Sequence, residues 1–123
     1  MGKIKFKICY QYGIVFVYLY MRIIAVKTLK RYWEEWPQAK QALLCWHEEV
    51  AGAEWSNPNA LKSHYRNASI LNNKRVVFNI HGNTFRLIAD VEYRLGIVCV
   101  VWFGKHEDYD KIDAKKVSYV KAD

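Results

Sequence analysis

The stretch Lys105-His106-Glu107-Asp108-Tyr109-Asp110 is the densest run of proton-handling side chains in the sequence. On a helix, His106, Tyr109 and Asp110 stand at i, i+3 and i+4 and share one face. Histidine is the side chain best suited to give or take a proton near neutral pH. A tyrosine can donate a proton or stack on a base, and an arginine matches phosphate with a two-pronged fork. With a strand cation such as Arg86 opposite, this set meets the needs of metal-free RNA cleavage. Those needs are a base for the 2′-hydroxyl, an acid for the departing 5′-oxygen, a cation for the charge on the phosphate, and a nucleotide splayed for in-line attack. The same turn is also what an ordinary solvated helix end looks like, so spacing alone leaves both readings open.

Other chemistries find less support. His106 and Asp110 are at metal-ligand spacing, but no third ligand is identifiable, and His64 and His81 fall on separate loops; no metal is expected. There is no Gly-x-Ser-x-Gly, no readable Cys–His pair and no phosphate-cradling glycine loop, and no cofactor is expected. Cys9, Cys45 and Cys99 form no CxxC pair. Cys45 lies among apolar helix residues and Cys99 in an apolar strand, so buried, reduced thiols and a reducing, cytoplasmic setting are expected.

The elements that must hold these groups follow from periodicity. Met21 to Val26 reads as a short strand. Thr28 can cap a helix carrying Leu29, Tyr32, Trp33 and Trp36 at helical spacing. Pro37 ends it and starts a second helix, whose stripe is Ala39, Ala42, Leu43, Trp46 and Val50 and whose stop is Gly52. Pro58, in the turn Ser56-Asn57-Pro58-Asn59, can open one more helical turn, and Asn67 to Asn73 reads as loop. Arg75 to Ile80 is a strand with Phe78 and Ile80 inward, and His81-Gly82-Asn83 is a tight connection. From Thr84 to Tyr93, Phe85, Leu87, Ala89, Val91 and Tyr93 face one side; Thr84, Arg86, Ile88, Asp90 and Glu92 face the other. Arg94-Leu95-Gly96 turns the chain. Ile97 to Phe103 is continuously apolar, as expected of a central strand covered on both faces. Gly104 ends it, and His106 to Ile112 reads as a last short helix. The expected architecture is α+β: two N-terminal helices on an antiparallel sheet of three to four strands, with Met21–Val26 at an edge and a short C-terminal helix.

Length and composition suit one domain with its own core: 123 residues, 52% hydrophobic and 15% aromatic. The first twenty residues stand apart. Lys3, Lys5 and Lys7 precede an apolar run from Gly13 to Tyr20, but no small-residue cleavage site follows, and Ile8 to Met21 is short for a membrane span. We therefore expect residues 1–20 to be a dispensable or non-native extension and 21–123 to be the working domain, with no membrane partner; the alternatives for 1–20 are a real added strand or a membrane anchor.

The formal net charge is +7, which suits a polyanionic partner. The acids Glu34, Glu35, Glu48, Glu49 and Glu54 are all expected on the helices. No acid occurs between Glu54 and Asp90, a gap that holds Lys62, Arg66, Lys74, Arg75, Arg86, His64 and His81. Such a patch suits phosphates, and the aromatics near it, Tyr65 and Phe85, could stack on bases, although the inward-facing Phe85 reads better as core.

Three features in this order, after two helices, resemble the HigB family of toxins in the RelE-like superfamily. They are Val77-Phe78-Asn79-Ile80-His81-Gly82-Asn83-Thr84-Phe85-Arg86-Leu87-Ile88, the strand end Trp102-Phe103-Gly104, and His106-x-x-Tyr109-Asp110. The likeness runs from Met21 to about Asp113. It implies a RelE-like fold and an mRNA endoribonuclease, often acting on the ribosome, that arrests translation. It further implies a helix-turn-helix, HigA-like antitoxin, through which the toxin–antitoxin complex could bind operator DNA. The resemblance makes Arg86, His106, Tyr109 and Asp110 the catalytic candidates. Lys62, Lys74, Arg75, Asn83 and Lys105 are the candidate RNA contacts. The competing class is a basic, non-catalytic RNA- or DNA-binding module, which the basic gap would fit equally well.

Overall fold

The computed structural model describes residues 6–10, 13–17, 21–24 and 26–118, the first two segments as paired strands alone. Strands β1 (Phe6–Tyr10) and β2 (Gly13–Val17) form a separate antiparallel hairpin. The expectation that residues 1–20 are dispensable lies largely outside what is described. Met21 belongs to the core, with 2% of its surface exposed. Its amide and that of Arg22 donate to the carbonyls of Ala51 and Gly96, at 3.5 and 2.6 Å.

Strand β3 (Arg22–Ile24) leads into helix α1 (Val26–Glu35). Thr28 does not cap α1 as expected; it lies inside the first turn and is buried. Pro37 closes α1 and opens a 3₁₀ turn (Pro37–Ala39) that runs into helix α2 (Lys40–Ala51). Proline's fixed φ and missing N–H serve both purposes. The apolar stripe is as expected: Ala39 of the 3₁₀ turn and Leu43, Trp46 and Val50 of α2 are buried, and Ala42 is half-buried. Cys45 is exposed, contrary to expectation. It stands two positions from Leu43, about 200° around the helix, and so faces water. Cys99 is half-buried.

Asn57 caps helix α3 (Pro58–His64), its side-chain oxygen accepting from the amide of Ala60 at 2.9 Å. The supposed loop that follows contains strand β4 (Ser69–Ile70). After it come β5 (Arg75–Ile80), β6 (Phe85–Glu92), β7 (Ile97–Lys105) and the single-turn helix α4 (His106–Tyr109). The α+β class is as expected, but the layout is larger. The sheet has five strands in the order β3-β7-β6-β5-β4, and β3 runs parallel to β7. A third helix is present, and α4 ends three residues short of Ile112.

Strand alternation sorts the sheet's side chains onto two faces. Val76, Phe78, Ile80, Phe85, Leu87, Ala89, Val91, Val98, Val100 and Phe103 join the residues of α1, α2 and α3 in the main core. Val77, Ile88 and Val101 point the other way. They are covered by Leu71, Trp102, Tyr109, Ile112, Ala114 and Val117, so the chain after β7 folds back over the second face. A register shift between Ile88 and Ala89 leaves Val101 unpaired; β7 therefore offers Val101 and Trp102 in succession to this face.

Candidate active site at the open end of the sheet

The β5–β6 turn comprises His81 to Thr84, with φ of 56° at His81 and 64° at Gly82. Two successive left-handed residues suit a tight hairpin; glycine adopts this conformation freely, and histidine is among the side chains that tolerate it. The amide of His106 donates to the carbonyl of Thr84 at 3.1 Å, and Phe85 is register partner to Lys105. These ties fix the start of α4 against the hairpin. Asn83, Arg86, Lys105 and His106 are thereby gathered at one end of the sheet, and the single turn of α4 adds Tyr109 and Asp110.

Arg86 is half-buried on β6, opposite Gly104 on β7 and Asn79 on β5. Its Nη1 donates to the carbonyls of Asn83 and Phe85, at 3.1 and 3.2 Å. Among the described residues no carboxylate pairs with it, and no hydrogen-bond partner meets Nε or Nη2. Two backbone acceptors thus hold one prong of a guanidinium whose other edge stays free. Such an arrangement orients a cation for an anionic ligand without neutralising it. Lys105 is exposed, and its ammonium meets no partner among the described residues.

The imidazole of His106 is 45% exposed. Its Nε2 lies 3.0 Å from Oε1 of Glu107, and its Nδ1 lies 3.8 Å from Oδ2 of Asp110. The second distance is too long for a hydrogen bond. Both carboxylates are largely solvated. Tyr109 turns towards the sheet, its ring centroid 6.3 Å from that of Trp102. A cleft of about 740 Å³ lies beside Tyr109 and Asp110 and extends to Leu71 and Lys115.

The other basic candidates lie elsewhere. Arg75 is at the opposite end of β5, four residues or about 13 Å along the strand from the partner of Arg86. Its Nε and Nη2 donate to Oδ1 and Oδ2 of Asp90, at 2.7 and 3.0 Å. Its Nη1 donates to the carbonyls of Ala114 and Val117, at 3.0 and 2.6 Å. With its side chain 11% exposed, Arg75 clamps β5, β6 and the C-terminal segment together. Lys74 pairs with Glu92 at 2.9 Å; that hydrogen bond, and then the carboxylate's charge, hold the ammonium above its usual pKa range. Lys62 donates to the carbonyl of Ala68. Tyr65 is half-buried against Phe78, 5.1 Å between ring centroids, and donates to Glu49. Desolvation first, and the Glu49 bond second, push its pKa far above the usual value.

The acid-free gap in the sequence is therefore not acid-free in space. Antiparallel pairing brings Asp90 of β6 against Arg75 of β5, and Glu92 of β6 meets Lys74 just before β5. Two residues not singled out for a site by sequence share the face of Arg86: Asn79, its cross-strand partner, and Trp102, partner of Ile88. The signal for Trp102 was its spacing, two residues before Gly104 and so on the same face of the strand. No group of three or more His, Cys, Asp or Glu side chains among the described residues is placed to hold a metal ion.

No curated protein matches the chain. Residues 39–112, from the start of α2 to just past α4, match the HigB toxin family, the RelE-like toxic component of a toxin–antitoxin system. The match covers more than half of the chain and takes in Arg86, His106, Tyr109 and Asp110. The chain thus belongs to the HigB toxin family, and its role is that of the toxin whose partner is an antitoxin.

Proposed function

We propose that the protein is an mRNA endoribonuclease that cleaves through the RNA's own 2′-hydroxyl, without a metal, on ribosome-bound message in the cytoplasm. The observation that carries this reading is the free edge of Arg86, held by two backbone carbonyls at the same end of the sheet as His106 and Tyr109.

In the reaction the 2′-oxygen attacks the adjacent phosphorus and the bond to the 5′-oxygen breaks. A base on the protein takes the 2′-hydroxyl proton, and an acid gives one to the departing 5′-oxygen. The products are a 2′,3′-cyclic phosphate and a 5′-hydroxyl. Arg86 stabilises the charge that builds on the non-bridging oxygens, a contribution worth about 3 kcal/mol for a well-placed donor. His106 and Tyr109 divide the two proton transfers. Asp110 stands by the imidazole as an electrostatic neighbour, and Lys105 and Asn83 contact the RNA backbone beside it. Lys62 and Lys74 contribute only to the general field, and Arg75 is withdrawn from the RNA surface by its four internal bonds. The working domain begins at Met21, whose side chain is packed into the main core. The antitoxin is of the helix-turn-helix, HigA-like kind, and the pair binds operator DNA through it.

The test is the chemistry of the cut ends. RNA incubated with purified protein and ribosomes should carry cyclic phosphate and 5′-hydroxyl termini. With a short RNA free of ribosomes, cutting should survive excess EDTA. Binding without cutting would favour a non-catalytic module; termini of the opposite polarity, or loss of activity restored by a divalent ion, would overturn the mechanism.

A further inference from the structure

Trp102 and Gly104 lie two residues apart on β7 and share its second face. A Cβ added to Gly104 would stand 2.7 Å from Cη2 and 2.9 Å from Cζ2 of Trp102, closer than real Cβ atoms come. Gly104 does not have a positive φ, so the position needs glycine for space and not for backbone conformation. The benzo ring of Trp102 fills the volume that any side chain at 104 would take. Gly104 is buried as a result, while Trp102 stays half-buried. The indole thus reaches along the strand towards the rim, over the residue that is the cross-strand partner of Arg86. The ring of Tyr109 flanks it, 6.3 Å away and inclined by 51°.

Trp102 and Tyr109 help Leu71, Ile112, Ala114 and Val117 to cover Val77, Ile88 and Val101, yet the indole itself stays half-buried. A large aromatic surface beside an arginine that has no carboxylate partner among the described residues is the pairing by which proteins hold single-stranded nucleic acid: cation to phosphate, ring to base.

We propose that Trp102, laid over Gly104 and flanked by Tyr109, is a stacking platform for a nucleobase next to the phosphate held by Arg86. The proposal rests on the RNA-cleaving reading above and deepens it. The platform positions the substrate: a base drawn onto the indole leaves the neighbouring stack, which opens the backbone for in-line attack.

The test uses the full chain and a set of five-nucleotide RNAs made uncleavable by 2′-O-methylation, each abasic at one position. Binding is read by fluorescence anisotropy at several salt concentrations. The wild-type protein should lose about tenfold in affinity for the oligonucleotide abasic at one particular position. Trp102→Leu should lose a similar factor on the intact oligonucleotide and become indifferent to that abasic site. Its salt dependence should stay unchanged, because no phosphate contact is removed. Trp102→Phe, which keeps a ring, should retain most of the affinity, and melting curves will show that both variants are folded. Gly104→Ala, which displaces the indole, should behave as Trp102→Leu does. If the wild-type protein binds and cleaves RNA but neither Trp102→Leu nor any abasic position weakens binding, the platform is refuted and the nuclease reading stands. If it neither binds nor cleaves RNA, both fall together.

Discussion

Removing the guanidinium of Arg75 should cost fold stability and leave the chemistry in place. In Arg75→Ala, Asp90 loses both prongs of its fork, and the carbonyls of Ala114 and Val117 lose their charged donor. Deleting one partner of a buried ion pair typically costs about 3–5 kcal/mol, because the other charge is stranded. Asp90 is 32% exposed, so water recovers part of its solvation. The two carbonyls sit on a surface segment that can peel away and rehydrate. A net loss of about 3 kcal/mol is the resulting expectation. For a domain of this size that lowers Tm by roughly 12 °C or more. The assay is a thermal melt by circular dichroism, alongside hydrogen exchange over residues 111–118, which should lose protection before the sheet does. Arg75→Lys should recover only part of the loss, since an ammonium cannot span both carboxylate oxygens and the two carbonyls. A double variant, Arg75→Met with Asp90→Leu, should be more stable than Arg75→Ala, because no charge is left unpaired. An unchanged Tm combined with weaker RNA binding and a salt slope lowered by about one would refute the argument. Arg75 would then be a phosphate contact and its internal bonds dispensable.

Arg86→Ala should lower the cleavage rate by about a hundredfold, whereas Lys62→Ala should change it little; equal effects would remove the distinction drawn between them. Tyr109→Phe should slow cleavage by about two orders of magnitude if the hydroxyl moves a proton, and by little if the ring only stacks; the melting temperature should hold in both cases. His106→Gln should abolish most activity with near-normal stability, because the imidazole is 45% exposed; a large fall in Tm would mark it as structural. Stability should fall as pH rises above about 10, where an unfolded Tyr65 ionises while the buried one, held up by desolvation and its bond to Glu49, does not. Below that pH this contribution is fully present, and Tyr65→Phe should flatten the alkaline decline in Tm. Burial also raises the pKa of the Cys99 thiol, so iodoacetamide at neutral pH should modify the exposed Cys45 well before Cys99.

Local pattern determined much of this protein. The period of β6 placed Phe85, Leu87, Ala89 and Val91 in the core and Arg86 on the other face. The spacing in α2 picked out Leu43, Trp46 and Val50, and Pro37 marked the break between helices. These are properties of single elements, set by side-chain periodicity and backbone sterics, and a sequence contains them whole. What decided the site is the relation between elements. A three-residue connection at His81–Asn83 would place Arg75 opposite Ala89. The observed four-residue turn moves the register by one and places it opposite Asp90, which turns a supposed RNA contact into a clamp. Because strand side chains alternate with period two, one residue of register exchanges every cross-strand neighbour, and no local signal carries that information. The parallel pairing of β3 with β7, the return of residues 112–117 over the second face, and the indole resting on Gly104 are of the same kind. Each joins positions far apart along the chain, or depends on which rotamer a crowded surface leaves open, and packing of the folded whole decided them.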